Sequence, residues 1–176
     1  MILGAVLAGG QSSRFGSDKA LALFEGQTLL DRAVASLEGM CDAVVVVGRD
    51  VAPALVIPDR PRAGMGPLGG LAAALHHATA QGYDAVLTCA VDSLGLDSRL
   101  RDALEPAPAY IKSQPVIGLW PASAARTLDA LLAGEGRHSL RAFAEVIGAR
   151  PVQLARDPAN INTPDDLAAV ESRNGL

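Results

Sequence analysis

The sequence predicts one α/β domain, a doubly wound, mostly parallel (Rossmann-like) sheet with helices on both faces. Three observations carry that prediction. Apolar runs rich in Val, Ile and Leu recur at Met1–Val6, Asp42–Gly48, Leu55–Asp59 and Asp84–Asp92. They are continuous rather than alternating, as strands buried on both faces are. Stretches with apolar residues at helical spacing lie between them, and that alternation defines the class. Finally, 49% of the chain is hydrophobic but only 3% aromatic, so the core must be built from Ala, Val, Leu and Ile. A length of 176 residues suits one domain with a sizeable core.

Taken in order, Met1–Val6 is the first strand and leads into a glycine loop. Ala20–Phe24 is a short apolar stretch ending in the turn Glu25-Gly26-Gln27. Thr28 can cap a helix through Leu29, Leu30, Ala33, Val34 and Leu37, ended by Gly39. Asp42–Gly48 is β-branched and buried, and Leu55–Asp59 is a third, short strand. The segment Arg60–Gly70 holds four glycines and two prolines and reads as a loop. A helix then runs through Leu71, Ala74, Leu75 and Ala78 to about Gly82. Asp84–Asp92 is the fourth strand, with Asp92 at its carboxyl end, and Asp97–Leu104 is a helix. Pro106–Pro108 breaks the chain. Ala109–Lys112 and Pro115–Trp120 form a strand pair, Ala122–Leu132 and Ser139–Val146 are helices, and Arg150–Leu154 is the last strand. Thr163 caps the final helix, with Pro164 at its first position and aspartates at its positive end.

The stretch that organises the chain is Leu7–Ala20. Gly9 and Gly10 follow a strand and let a ligand approach the backbone. Gln11, Ser12 and Ser13 add donors, and Arg14 and Lys19 add two cations. Such a loop suits a polyanion. It is not a P-loop, because Ser17 rather than Lys follows Gly16. Nor is it the dinucleotide pattern, since Gly9 and Gly10 are adjacent and Ser13 is not glycine. In a doubly wound sheet ligands bind beyond the carboxyl ends of the strands, where Gly9, Gly10, Gly48, Asp59 and Asp92 all fall.

Composition excludes several classes. A net charge of −4 leaves no broad basic surface for nucleic acid. The amino terminus lacks the cationic region of a signal peptide, and no apolar run reaches membrane-span length. Cys41 and Cys89 belong to no C-x-x-C pair and read as reduced thiols of a cytoplasmic protein. His76 and His77 point to different faces of one helix and His138 is distant, so the histidines form no metal set. No G-x-S-x-G nucleophile elbow is present.

The run Leu7-Ala8-Gly9-Gly10-x-Ser12-x-Arg14-Phe15-Gly16-x-Asp18-Lys19-Ala20-Leu21 resembles the signature of the molybdenum cofactor guanylyltransferases of the MobA type. Met65–Gly70 is similar to that family's Gly-Pro-Leu-Ala-Gly segment, and Asn160-Ile-Asn162-Thr163-Pro164 to its Asn-x-Asn-Thr-Pro. The resemblance runs from Leu7 to about Leu167 and is weaker between Glu105 and Gly134. It implies a nucleotidyltransferase-type sheet with a nucleotide-binding part, about 1–104, and an acceptor-binding part, about 105–176. Leu7, Ala8, Gly9, Gly10, Ser12, Arg14 and Lys19 would surround the triphosphate. Asp59, Gly66, Pro67 and Leu68 would lie against the base and ribose, and Gly48 stands where the family more often has Asn. Asp92 would hold Mg2+; an Asp there fits a turn equally well by itself, and the first loop decides for the metal. The family's proline after this aspartate is absent, as Ser93-Leu94-Gly95 follows. Asn160 and Asn162 would face the acceptor, with Arg137 as a further contact to its phosphate.

These implications describe a magnesium-dependent enzyme that moves GMP from GTP to a phosphorylated molybdopterin-type acceptor and releases pyrophosphate. No protein nucleophile is needed; Arg14, Lys19 and Asp92 would do the catalytic work by positioning and charge. Cytidylyl transfer to the same cofactor, or transfer to another phosphorylated acceptor, is the alternative. Related cytidylyltransferases tend to carry Leu-Ala-Ala-Gly in the first loop, and Gly9 leaves room for the larger purine. A non-catalytic nucleotide- or cofactor-binding module is the alternative of another class. A monomer or small homo-oligomer, with cofactor-delivery or recipient proteins as partners, is compatible with the sequence.

Overall fold

The computed structural model describes residues 1–9 and 18–174. β1 (Ile2–Leu7) is wholly buried and is an inner strand of a seven-stranded sheet. A 3₁₀ turn at Lys19–Leu21 leads into a tight hairpin of β2 (Leu23–Phe24) and β3 (Gln27–Thr28). Its turn residues Glu25 and Gly26 both carry positive φ, 49° and 79°, the pairing that suits a two-residue hairpin. α1 (Leu29–Glu38) follows, with Thr28 accepting from the Asp31 N–H and Gly39 closing the end. β4 (Ala43–Val47) and β5 (Leu55–Ile57) then pair parallel to β1 and to each other in turn.

α2 (Gly66–Gln81) begins earlier than the glycine-rich sequence suggests. Gly66, Pro67 and Leu68 therefore belong to the first turn of a helix and not to the preceding loop. Pro67 is the reason, because a proline in the first turn loses no hydrogen bond and has φ already set. β6 (Ala85–Ala90) returns parallel to β1 on its other side. Next come β7 (Ser93–Leu94), α3 (Ser98–Leu104), β8 (Ala109–Ile111) and β9 (Gly118–Pro121). A 3₁₀ turn at Ala122–Ala124 opens α4 (Ala125–Ala133), and α5 (Leu140–Val146), β10 (Arg150–Val152), β11 (Ala159–Asn160) and α6 (Pro164–Asn174) complete the chain.

The sheet order is β10-β8-β9-β6-β1-β4-β5. Only β9 runs against its neighbours, as the antiparallel pairings to β6 and β8 show. One face packs residues of α2, α4 and α5, among them Leu71, Leu75, Leu128 and Phe143, with Trp120 at its centre. The other packs Leu30, Val34 and Leu37 of α1 and Leu100 and Leu104 of α3. The doubly wound α/β fold is thus observed. Trp120 donates from Nε1 to Thr88 Oγ1 at 2.9 Å, and Thr88 donates to the Val116 carbonyl at 2.7 Å, so these buried polar atoms are satisfied. No helix among the described residues is long and apolar enough to cross a membrane.

One feature escapes sequence periodicity. β7 and β11 form a separate two-stranded antiparallel ribbon, with Ser93 opposite Asn160 and Leu94 opposite Ala159. The apolar side of this ribbon packs with Phe24, Leu29 and Ile161 under Leu167 and Val170 of α6. The last helix is therefore pinned against the amino-terminal half.

Candidate functional site

The site is built where β1, β4 and β6 end at the same edge. The Ala8 N–H donates to the Val47 carbonyl at 2.9 Å, so the chain leaving β1 stays stitched to β4 up to the loop. There Gly48, at φ +87°, lies directly against Gly9. A Cβ on Gly48 would stand 2.5 Å from both the Cα and the N of Gly9. Leu7 is buried, Ala8 half-buried and Gly9 exposed to the cleft.

Asp59 lies two residues beyond β5. Its Oδ2 is 3.7 Å from where a Cβ on Gly9 would sit, and its Oδ1 is 3.8 Å from that point on Gly70. The carboxylate thus lies between the mouth of the first loop and the first turns of α2. The Arg60 N–H donates to the Gly69 carbonyl at 3.1 Å and closes this segment. A Cβ on Gly69 would fall 2.5 Å from Met65 Cβ, and one on Gly70 would fall 3.0 Å from Leu7 Cδ2. These two glycines are what let α2 start hard against β1. No side chain caps the start of α2 at Met65, so its leading N–H groups, the positive end of a 16-residue helix, are available at this edge.

Beyond the end of β6, Lys19 Nζ donates to Asp92 Oδ2 at 2.6 Å. The two residues are separated by 73 positions, and their side chains are only 13% and 18% exposed. The Asp92 carbonyl accepts from the Ile161 N–H at 3.1 Å, and Asn160 stands opposite Ser93. The β7–β11 ribbon therefore carries Asn160 to the residue beside Asp92. The side chains of Asn160 and Asn162 are exposed, and among the described residues neither is engaged in a hydrogen bond. Capping is done by others. The Asn162 and Thr163 N–H groups donate to Asp166 Oδ2 at 2.9 and 2.8 Å, and the Asp166 N–H donates to Thr163 Oγ1. These bonds, the Asn162 N–H first, hold the Asp166 carboxyl below the usual range, with the charge of Lys19 contributing least.

Lys19, Asp92 and Asn160 thus come together, as do Leu7, Ala8, Gly9, Gly48, Asp59 and the Gly66–Leu68 turn. Arg137 is exposed on the connection from α4 to α5, and no contact among the described residues joins it to either group. Gly10, Ser12 and Arg14 lie outside the described residues. Sequence reasoning passed over Arg49, Asp18 and Ser93 as site residues. Arg49 forms a bidentate pair with Asp18, Nη1 to Oδ1 at 3.0 Å and Nη2 to Oδ2 at 2.5 Å. That pairing holds the Asp18 carboxyl below its usual range. Ser93 is 2% exposed, and its Oγ has no hydrogen-bond partner among the described residues.

The donor set bears on which metal would suit the site. Among the described residues no three of His, Cys, Asp or Glu converge, so the protein offers no cage for zinc or a transition metal. A single carboxylate at a strand end fits magnesium, which is commonly held by one or two carboxylates together with substrate phosphates.

Comparison with known proteins bears on the family and the fold. The MobA-like NTP transferase domain family matches residues 4–152. A molybdenum cofactor guanylyltransferase from Acidiphilium cryptum is 37% identical, with 95% of this chain and 92% of that protein covered. A probable molybdenum cofactor guanylyltransferase from Deinococcus radiodurans is also 37% identical, over 96% and 93%. Among solved structures, the molybdopterin-guanine dinucleotide biosynthesis protein A of Archaeoglobus fulgidus superposes with a TM-score of 0.75 at 22% identity, covering 99% of both chains. A 2-C-methyl-D-erythritol 4-phosphate cytidylyltransferase from Thermus thermophilus superposes at 0.64 with 15% identity, covering all of this chain and 98% of that one. At such identities the two structures establish a shared fold, and the sheet is of the nucleotidyltransferase type. With the family model spanning most of the sequence and relatives above one-third identity over nearly its whole length, the chain belongs to the MobA-like NTP transferase family.

Proposed function

We propose that this chain transfers GMP from GTP to the phosphate of a molybdenum–molybdopterin acceptor, yielding the guanine dinucleotide form of the cofactor and pyrophosphate. The observation that carries the reading is the pairing of Lys19 with Asp92 at 2.6 Å, beside the strand bearing Asn160. A cation for the triphosphate, a carboxylate for a metal and amides for an acceptor thereby stand at one edge. The names borne by relatives over nearly the whole length support the same reading.

In this mechanism an acceptor phosphate oxygen attacks the α-phosphorus of GTP. The new P–O bond forms as the bond to the β-phosphate oxygen breaks, and the electron pair leaves with pyrophosphate. The chain contributes position and charge. Gly9, Gly10, Ser12, Arg14 and Lys19 hold the triphosphate. Asp59 and the Gly66-Pro67-Leu68 turn flank the nucleoside, with Gly48 keeping the wall thin. Asp92 would hold magnesium, whose charge when bound offsets that of the departing pyrophosphate. Asn160 and Asn162 orient the acceptor, and Arg137 meets its phosphate. The nucleotide side is carried mainly by residues about 1–104 and the acceptor side by about 105–176. Without ligand, Lys19 and Asp92 neutralise one another; on binding, the amine turns to phosphate oxygens and the carboxylate is released. The reaction belongs in the cytoplasm, and cofactor-delivery and recipient proteins are its natural partners.

The test is pyrophosphate release by the purified chain with GTP, CTP or ATP and the phosphorylated pterin acceptor, with magnesium and then with EDTA. Release with GTP and magnesium alone is expected. A preference for CTP would make the enzyme a cytidylyltransferase. Failure to bind any triphosphate would leave a non-catalytic module.

A further inference from the structure

The end of β4 touches both flanks of the first loop. Gly48 packs on Gly9 before it, and Arg49 grips Asp18 after it with two hydrogen bonds. Asp18 in turn caps the 3₁₀ turn that begins at Lys19, its Oδ1 accepting from the Ala20 N–H at 3.2 Å. Lys19 then reaches Asp92. A continuous chain of contacts therefore runs from the strand end through Arg49 and Asp18 to the amine.

This pair is poorly explained as ordinary surface chemistry. Exposed ion pairs contribute little to stability, and the Asp18 side chain is 42% exposed. Arg49, by contrast, is only 19% exposed, and its buried Nε has no hydrogen-bond partner among the described residues. Leaving an N–H buried and unmatched costs free energy, so the guanidinium is held where its fork meets the carboxylate at the expense of its own third donor position. The fork geometry fixes direction as well as distance, which a lysine at this position could not do.

We propose that Arg49 is a positioning residue: acting through Asp18, it aims the Lys19 amine at the site of the triphosphate. This rests on the reading of Lys19 as a triphosphate-binding cation, and the test separates the two. Four proteins are compared: the parent, Asp18→Asn, Arg49→Met and the double variant. Asparagine at 18 keeps the oxygen that caps the turn but cannot accept from Nη2, so it breaks the fork and spares the cap. The first readout needs no nucleotide. It is the rate at which an amine-selective acylating reagent modifies Lys19, followed by peptide mass spectrometry. The second is kcat and KM for GTP with magnesium and acceptor.

Each single variant should raise Lys19 labelling severalfold, and the double variant should raise it no further. Each should lower kcat by about 10- to 100-fold, the scale of a misplaced catalytic contact, with a smaller change in KM and only a small fall in the thermal midpoint, as for an exposed ion pair. Arg49→Lys should recover only part of the loss. Unchanged labelling in the single variants would overturn the proposal. So would labelling or kcat changes that multiply in the double variant, or a defect in Arg49→Met with none in Asp18→Asn, which would put Arg49 on the ligand itself. If the parent does not turn over GTP, the functional reading fails, and labelling alone decides the role of the pair.

Discussion

Replacing Gly48 by alanine would place a Cβ 2.5 Å from both the Cα and the N of Gly9. Real Cβ atoms do not come that close to backbone, so β4 and the entrance to the first loop would have to separate. Two costs add. Gly48 sits at φ +87°, where an L side chain costs roughly 1–2 kcal/mol. Relieving the overlap adds about 1–3 kcal/mol, as in other overpacked sites. The expected loss is about 2–5 kcal/mol, and at a urea dependence of about 1–3 kcal/mol per molar the unfolding midpoint falls by at least about 0.7 M. Gly48→Asn separates the two costs, because asparagine tolerates positive φ while its Cβ meets the same atoms; it should lose only the overlap part. Urea unfolding followed by the fluorescence of the single tryptophan, Trp120, measures both variants. Gly9 moves with the strand end, so the KM for GTP should rise in parallel. An alanine variant with an unmoved midpoint and parental KM would refute the close approach of the two backbones.

Lys19→Met and Asp92→Asn should each lower turnover at least about 100-fold, the loss seen when one preorganised charge is removed, while circular dichroism stays parental; near-normal activity would remove that residue from the mechanism. Asp18 and Asp166 both have carboxyls held below the ordinary value of 3.8. Groups shifted in this direction stabilise the fold above that value and stop doing so as pH falls through their lower folded values. Stability should therefore decline below about pH 4, and Asp18→Asn should flatten that decline; an identical acid limb would show that the Arg49 pairing is not felt. Burial pushes the Cys41 thiol up to about 12 and the Cys89 thiol higher still. A thiol reagent at pH 8 should leave both unmodified in the folded protein and react with both in urea; rapid reaction of either in the native state would contradict its burial.

The α/β class, the helix caps at Thr28 and Thr163, and the position of Asp92 at a strand end follow from local pattern and were readable without coordinates. What was not readable is of two kinds. The β7–β11 ribbon is two residues wide on each side, too short for any periodicity, so the route that brings Asn160 beside Asp92 had no sequence signal. The pairings Lys19–Asp92 and Asp18–Arg49 join positions 73 and 31 apart. A linear pattern gives the residue types and their order but not which strand ends meet. Arg49 follows a glycine in an otherwise unremarked turn, and only the sheet order, with β4 next to β1, places its guanidinium against Asp18. The start of α2 lies earlier than its glycine-rich composition implies, because Pro67 favours the first turn of a helix.

The short ribbon also governs when the site comes into being. Strands β1, β4 and β6 can assemble as soon as residue 90 has been made, since their pairings with one another lie within the first 90 residues. The carbonyl of Asp92, however, has its partner at Ile161, and the ribbon's second strand comes close to the end of the chain. Amino-terminal portions fold first during synthesis, so in a nascent chain the sheet around β1 precedes the closing of the ribbon by seconds. On the proposed reading of Lys19, Asp92 and Asn160, a polypeptide that stops short of Ile161 lacks the geometry to spend GTP.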